Sequence, residues 1–188
     1  MGNINIVGQY HENGDNSKEQ DLFIFRKACV ADVKEILELI NGFAQSNLML
    51  PRGPQYLYEN IRDFFIAVPK SPSITEKARP KGKRPKIVAC ASLHVLWEDI
   101  AEIRATAVHA DIQKQGLGER ITEYIIEEAR LLGIKKLFAF TLAEEFYKKL
   151  GFERKDKEEL PAKVWGECSR CPKYFQCDEI GMILNLSP

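Results

Sequence analysis

Short apolar runs and stretches of helical spacing alternate along this chain from Leu22 to Leu186. Leu22 to Arg26 reads as a first strand. Asp32 stands three residues ahead of Glu35, the spacing of a capping box, with Asp32 as the N-cap. Behind it Val33, Ile36, Leu37, Ile40 and Ala44 form one apolar helical face. A break from Leu48 to Pro54 isolates Arg52, and helical spacing resumes from Tyr56 to Asp63. Phe64 to Val68 is a buried strand by length and composition, and Ile87 to Leu96 a long one. After a turn at Trp97-Glu98-Asp99, Glu102, Arg104 and Thr106 alternate with Ile103, Ala105 and Ala107, which predicts a strand with a single polar face. Ile121, Tyr124, Ile125, Ala129 and Leu132 then recur at helical spacing up to Gly133, a residue suited to the C′ position. Lys135 to Phe140 reads as a fifth strand, Glu144 to Gly151 as a short helix, and Phe152 opens a sixth strand. Ile180 to Leu186 completes a seventh. The predicted fold class is α/β (α+β), a mixed, mostly antiparallel sheet of six to seven strands flanked by about four helices.

Three stretches lack this patterning. Residues 1–21 are polar and rich in glycine and asparagine, and read as a flexible leader to a single domain over 22–188. Residues 69–86 hold four prolines and a string of Lys and Arg without apolar periodicity. They read as a flexible basic loop, and without aromatic side chains to stack on bases they give no ground for nucleic-acid binding. Residues 160–179 form a cysteine-containing loop.

Composition narrows the function classes. A chain of 188 residues suits one domain with a substantial core. Lys plus Arg balances Asp plus Glu at 27 each, so no bulk charge draws it to nucleic acid or a membrane. No apolar run approaches the length of a membrane span, and the expected compartment is the cytoplasm. Five cysteines, Cys29, Cys90, Cys168, Cys171 and Cys177, fit free thiols or a metal site better than a disulfide framework. Cys168 and Cys171 have the gap of a metal knuckle and Cys177 is a third candidate, but a closed tetrahedral site needs a fourth ligand and no His lies nearby.

The chemistry centres on Gln113-Lys114-Gln115-Gly116-Leu117-Gly118, a glycine loop between a strand and a helix. Such a loop presents successive N–H groups at a helix N-terminus, where the macrodipole favours an anion. It lacks the Gly-Lys-Ser/Thr ending of a Walker loop and the three glycines of a Rossmann turn. It resembles the Gln/Arg-x-x-Gly-x-Gly/Ala loop of the GCN5-related N-acetyltransferases, which grips the pyrophosphate of coenzyme A. Tyr147 followed by Gly151-Phe152 is similar to a second signature of that family. The resemblance implies acetyl-CoA as cofactor, held by Thr106, Ala107 and Val108 on the strand and by Gln113 to Glu119 in the loop, including Gln115, Gly116, Leu117 and Gly118. It implies Tyr147 as general acid to the leaving thiolate. The alternative is an aromatic core residue on a short helix.

Glu102 is a candidate to take a proton from the acceptor, and Arg104 to neutralise an acceptor carboxylate. Pairing of the two with each other explains them equally well, and a carboxylate beside an Arg is a weak base. Arg52 is a candidate clamp for an acidic acceptor or a solvated loop residue. The Ala-Glu-Ile-Arg-x-x-Ala-Val-His run and the Leu-Pro-x-Lys-Val-Trp tail look like the short, single-domain N-acetylglutamate synthases. That implies transfer of acetyl to the α-amine of an amino acid, L-glutamate first, in arginine synthesis, with Arg52, Arg104 and Lys163 as acceptor-binding cations. Ala110 stands where a Pro is usual and Gln113-Lys114 where Arg-Gly is commoner; neither change removes a backbone donor. The rival expectations are another small amine or a protein N-terminus as acceptor, or a non-catalytic module binding coenzyme A or metal. A small-molecule partner is expected, and a homodimer is not excluded.

Overall fold

A computed structural model describes residues 22–71, 86–160, 166 and 168–186. Seven strands form one sheet, β1 (Phe23–Lys27), β2 (Phe64–Pro69), β3 (Ala89–Val95), β4 (Ile100–Val108), β5 (Lys136–Thr141), β6 (Glu153–Lys155) and β7 (Ile180–Asn185), in the order β1-β2-β3-β4-β5-β7-β6. All neighbours are antiparallel except β4 and β5. Four helices, α1 (Val33–Ala44), α2 (Pro54–Glu59), α3 (Leu117–Leu131) and α4 (Glu144–Lys149), cover the sheet.

Two large cores follow from the pleat, beside a small third cluster of Ile100, Phe138 and Leu160. On one face Ile36, Ile40 and Leu57 of α1 and α2 pack with Phe64, Ile66 and Cys90. On the other, Leu117, Ile121, Ile125 and Ala129 of α3 pack with Phe65, Leu93, Ala101 and Ile103, and Tyr147 and Phe152 join them. Full burial of such an aliphatic side chain is worth about 1.5–3 kcal/mol, so α3 is held by its apolar stripe more than by propensity.

The α3 and α4 ends share one device. Gly133 (φ +76°) donates to the Arg130 carbonyl at 2.9 Å, and Ile134 to that of Ala129 at 2.9 Å. Gly151 (φ +84°) likewise donates to Lys148 at 3.0 Å, and Phe152 to Tyr147 at 3.1 Å. These are Schellman motifs, in which the residue after the glycine packs on the one five positions earlier. Tyr147 and Phe152 do so with ring centroids 5.1 Å apart. The Tyr-x-x-x-Gly-Phe spacing is thus a helix stop that fixes Tyr147.

Two expectations change. The Asp32 carboxylate does not cap α1; it accepts from the Cys29 N–H at 2.8 Å and from the Arg26 guanidinium at 2.7 and 2.9 Å. A 3₁₀ turn over Val30–Asp32 precedes the helix, and the arginine outcompetes the helix amides for the carboxylate. The single polar face of β4 is also interrupted. Cys90 pairs with Ala107 but Ser92 with Arg104, so Ala105 and Thr106 together oppose Ala91 in a β-bulge. Ala105 takes φ +53° there. Glu102 and Arg104 remain on the α1–α2 face, whereas Thr106 turns toward Tyr147. Lys163, the leader 1–21 and residues 72–85 of the basic loop lie outside the described residues.

Candidate active site

Strands β4 and β5 are paired only from Ile100 to Glu102 against Lys136 to Phe138. Beyond that point they part, and Ala105 to Val108 on one side and Phe140 to Thr141 on the other line a cavity of about 1260 Å³. Pockets for one small ligand run to roughly 300–1,000 Å³, so this space suits two reactants better than one. Strand edges opened in this way carry unpaired N–H and C=O groups that an extended amide-containing chain can join.

Of the loop, Gln113 lines this cavity, and Gly118 packs against Val108 and Phe146, which line it too. Gln113, Lys114, Gln115 and Gly116 are exposed. Lys114 (φ +63°) and Gly116 (φ +72°) take left-handed conformations on either side of Gln115. The N–H groups of Leu117, Gly118 and Glu119 begin a 15-residue helix and have no intrahelical acceptor. The glycines serve different purposes. Gly116 has nothing within 4 Å of a would-be Cβ, and its backbone angle is what requires glycine. At Gly118 a Cβ would stand 3.2 Å from the Phe146 ring and 3.5 Å from Val108, so that glycine lets α3 close on β4 and α4. The Gln113 side chain donates to the Val108 carbonyl at 3.1 Å and braces the loop against the strand.

Tyr147 is buried, and its hydroxyl lies 3.5 Å from Thr106 Oγ1 at the wall of the cavity. Burial pushes the phenol up to about 12, with the Glu102 and Glu179 charges acting in the same direction and the Thr106 contact opposing them. The hydroxyl therefore stays protonated at neutral pH.

Glu102 and Arg104 pair: Arg104 Nε donates to Glu102 Oε2 at 2.7 Å. Both line the cavity, as does Arg52. Arg52 is held from two sides, its N–H donating to Asn41 Oδ1 at 2.9 Å and its carbonyl accepting from Asn41 Nδ2 at 3.0 Å. Its guanidinium stacks over Tyr56 at 4.2 Å. Behind them sits buried His94, its Nε2 3.0 Å from Ser92 Oγ and 3.3 Å from the Tyr56 hydroxyl, its Nδ1 3.4 Å from Asp63. Burial, then the Arg104 and Arg52 charges, hold this imidazole down to about 3 and therefore neutral.

Cys168, Cys171 and Cys177 close one wall of the cavity as separate thiols. Among the described residues no three His, Cys, Asp or Glu side chains gather as metal ligands. Cys168 and Cys171 instead bracket a 3₁₀ turn, the Cys171 N–H donating to the Cys168 carbonyl at 3.0 Å, while Lys157 reaches Cys177 Sγ at 3.0 Å. Burial, then the Glu102 charge, pushes the Cys168 thiol up to about 11. Sequence inspection passed over Phe146, His94 and Glu179. Phe146 lies one residue before Tyr147; the other two carry no local motif, and only the pairing of distant strands brings them to the site.

These parts define a class: a mixed sheet with an opened strand pair, a glycine loop at a helix start, and a buried tyrosine in the wall of the cavity. A family model described as the Acetyltransferase (GNAT) family matches residues 34–152. An N-acetyltransferase of Chlorobaculum tepidum is 31% identical over 161 residues, covering 86% of this chain and 95% of its own. An amino-acid acetyltransferase of Mycobacterium tuberculosis is 30% identical over 147 residues, 78% of each chain. The N-acetylglutamate synthase of Neisseria gonorrhoeae, solved with coenzyme A and L-arginine, superposes with a TM-score of 0.67 at 26% identity, over 89% of this chain and 34% of that one. The chain belongs to the GNAT acetyltransferase family. It is an acetyl-CoA-dependent N-acetyltransferase.

Coenzyme A fits what the cleft offers: free amides at a helix start for its phosphates, and an unpaired strand edge for its amide-bearing arm. When bound, acetyl-CoA supplies an electrophilic thioester carbonyl. The groups that would meet it are the loop amides from Lys114 to Glu119, the β4 edge from Thr106 to Val108, and the Tyr147 hydroxyl. No described helix is long and apolar enough to cross a membrane.

Proposed function

We propose that the chain moves acetyl from acetyl-CoA to the α-amine of an amino acid, with L-glutamate as the first candidate and arginine synthesis as its setting. The observation that carries this is the shared cavity of Arg52, Arg104 and Tyr147. A guanidinium that lines the same cavity as the Tyr147 hydroxyl suits an acceptor bearing a carboxylate next to its amine. Arg52 is the stronger anchor, because its backbone is clamped by Asn41 whereas the Arg104 charge is met by Glu102. The amino-acid acetyltransferases and N-acetylglutamate synthase among the relatives support the same class of acceptor.

Release of free coenzyme A thiol is the readout, with glutamate, glutamine, aspartate and lysine compared as acceptors. Glutamate is expected to give the highest kcat/KM. Glutamine in first place would keep the α-carboxylate role of Arg52 and remove the need for a second cation; lysine in first place would overturn the acidic acceptor. Arg52→Ala is expected to raise the KM for glutamate at least about tenfold, the loss of one charge-assisted pair, with that for acetyl-CoA unchanged. Parallel changes in both would remove Arg52 from the acceptor pocket.

A further inference from the structure

Glu179 has no part in the family loop or the tyrosine motif, yet it faces the cavity beside Tyr147, with Arg52 on another wall. Its place is set by the sheet. It immediately precedes β7, whose first residue, Ile180, pairs with Thr141 at the end of β5, the strand that parts from β4. The next residue, Gly181, packs so tightly on β6 that a Cβ there would stand 2.6 Å from the Lys155 carbonyl. The backbone carrying Glu179 is therefore pinned at the open end of the split. Among the described residues its half-buried carboxylate makes no hydrogen bond or ion pair. Such a group in a cleft is set for a ligand cation.

Resting on the acceptor class proposed above, we propose that Glu179 is a catalytic residue that binds the acceptor ammonium and takes its proton before attack. The freed amine nitrogen bonds to the thioester carbonyl carbon, the C–S bond breaks, and the departing thiolate takes the Tyr147 proton; the tyrosinate recovers a proton from the acylated nitrogen, which leaves the neutral amide. The protonated Glu179 then returns to its starting state by releasing its proton to solvent. The acceptor is held between the two, its ammonium toward Glu179 and its carboxylate toward Arg52, opposite charges for opposite ends of an amino acid. Glu102, already engaged by Arg104, is the poorer acceptor of that proton.

The charged groups around Glu179 are Lys157, Lys173, Arg52 and Asp178, with Tyr147 and Cys168 feeling its charge. Burial raises its carboxyl above the ordinary value, with Asp178 adding to this and Lys157, Lys173 and Arg52 opposing it. That direction makes it a better proton acceptor.

The test is the pH profile of kcat/KM, measured with whichever primary amine the parent enzyme acetylates fastest. Glu179→Gln is expected to lower kcat/KM about 100-fold near neutral pH, with the deficit shrinking as pH rises toward the pKa of the acceptor amine. Acetyl-CoA affinity should stay as in the parent. Glu179→Asp keeps a shortened carboxylate and should retain the acid limb at lower rate, which separates chemistry from misfolding. Asp178→Asn, one residue away, should keep the acid limb and move it only slightly to lower pH, since its charge helps to raise the Glu179 carboxyl. A Glu179→Gln deficit that is the same at every pH, or an acid limb that vanishes in Glu102→Gln and survives in Glu179→Gln, would overturn the assignment while leaving the acceptor class standing. Turnover of non-amino-acid amines alone would overturn the acceptor class and leave Glu179 testable; turnover of no amine would overturn both.

Discussion

Tyr147 has two parts that can be separated by chemistry. Its ring is a packing element, T-shaped against Phe146 and Phe152 at 5.1 Å each, and its hydroxyl, beside Thr106, is the proposed proton donor. Tyr147→Phe keeps the ring and loses the proton. We expect kcat to fall about 100-fold, within the range for a general acid, while acetyl-CoA affinity and the urea midpoint hold. Tyr147→Ala also empties the core position and should lose about 3 kcal/mol of stability on top, read by urea unfolding. Equal activity in parent and Tyr147→Phe would leave the residue with its packing role alone. The Thr106 contact that completes this site exists only because Ala105 accepts a left-handed backbone, at a cost of about 1–2 kcal/mol for a residue with a Cβ.

Elements explain why the loop motif was legible before its parts were. Both glycines stood out in the sequence as a loop at a helix start, but their separate constraints belong to the packing of α3 on β4 and α4. Gly116→Ala forces a Cβ onto φ +72° with open space around it, so about 1 kcal/mol of stability should go without side-chain contact. Gly118→Ala presses on the Phe146 ring, which lines the cleft, and should raise the KM for acetyl-CoA with less change in stability. Identical signatures for the two variants, by thermal melting and initial rates, would refute the division. Strand and helix order, Gly133 and the Tyr-x-x-x-Gly-Phe stop were readable because they are local. The bulge was not: alternation of polar and apolar residues runs unbroken through Arg104, Ala105 and Thr106, and only the register against Cys90 and Ser92 reveals the extra residue. Asp32 was misread for a related reason, since its partner Arg26 lies on the preceding strand and outside any capping pattern.

Across the whole molecule, the sheet separates the proposed proton donor from the proposed acceptor cations. Tyr147 and Thr106 meet at the α3–α4 side, and Arg52, Tyr56 and His94 build the α1–α2 side, with the split between β4 and β5 joining them. The cost of this plan is a buried imidazole beneath two arginines, and it shows in the pH dependence of folding. His94 titrates near 6.5 when unfolded and near 3 when folded, so between those values the unfolded chain binds the extra proton. Stability must then fall as pH drops from 6.5 toward 3, by an amount on the order of 4 kcal/mol at the low end. Asp32, held down to about 2, first by the Arg26 guanidinium, adds loss in the same direction once pH passes below 3.8. Asp63 and Glu179 oppose them, since burial raises both carboxyls and lets the folded chain keep protons that the unfolded chain releases. His94→Gln isolates the imidazole from these carboxylates. Urea unfolding should find the variant weaker than the parent at pH 7, where the neutral ring makes its contacts with Ser92 and Tyr56. The gap should close steadily as pH falls through 6 to 4, because the variant has no proton to exclude. A gap that stays constant across that window would mean His94 is free to charge in the folded protein, and that the arginine side of the cavity is wetter than its burial indicates.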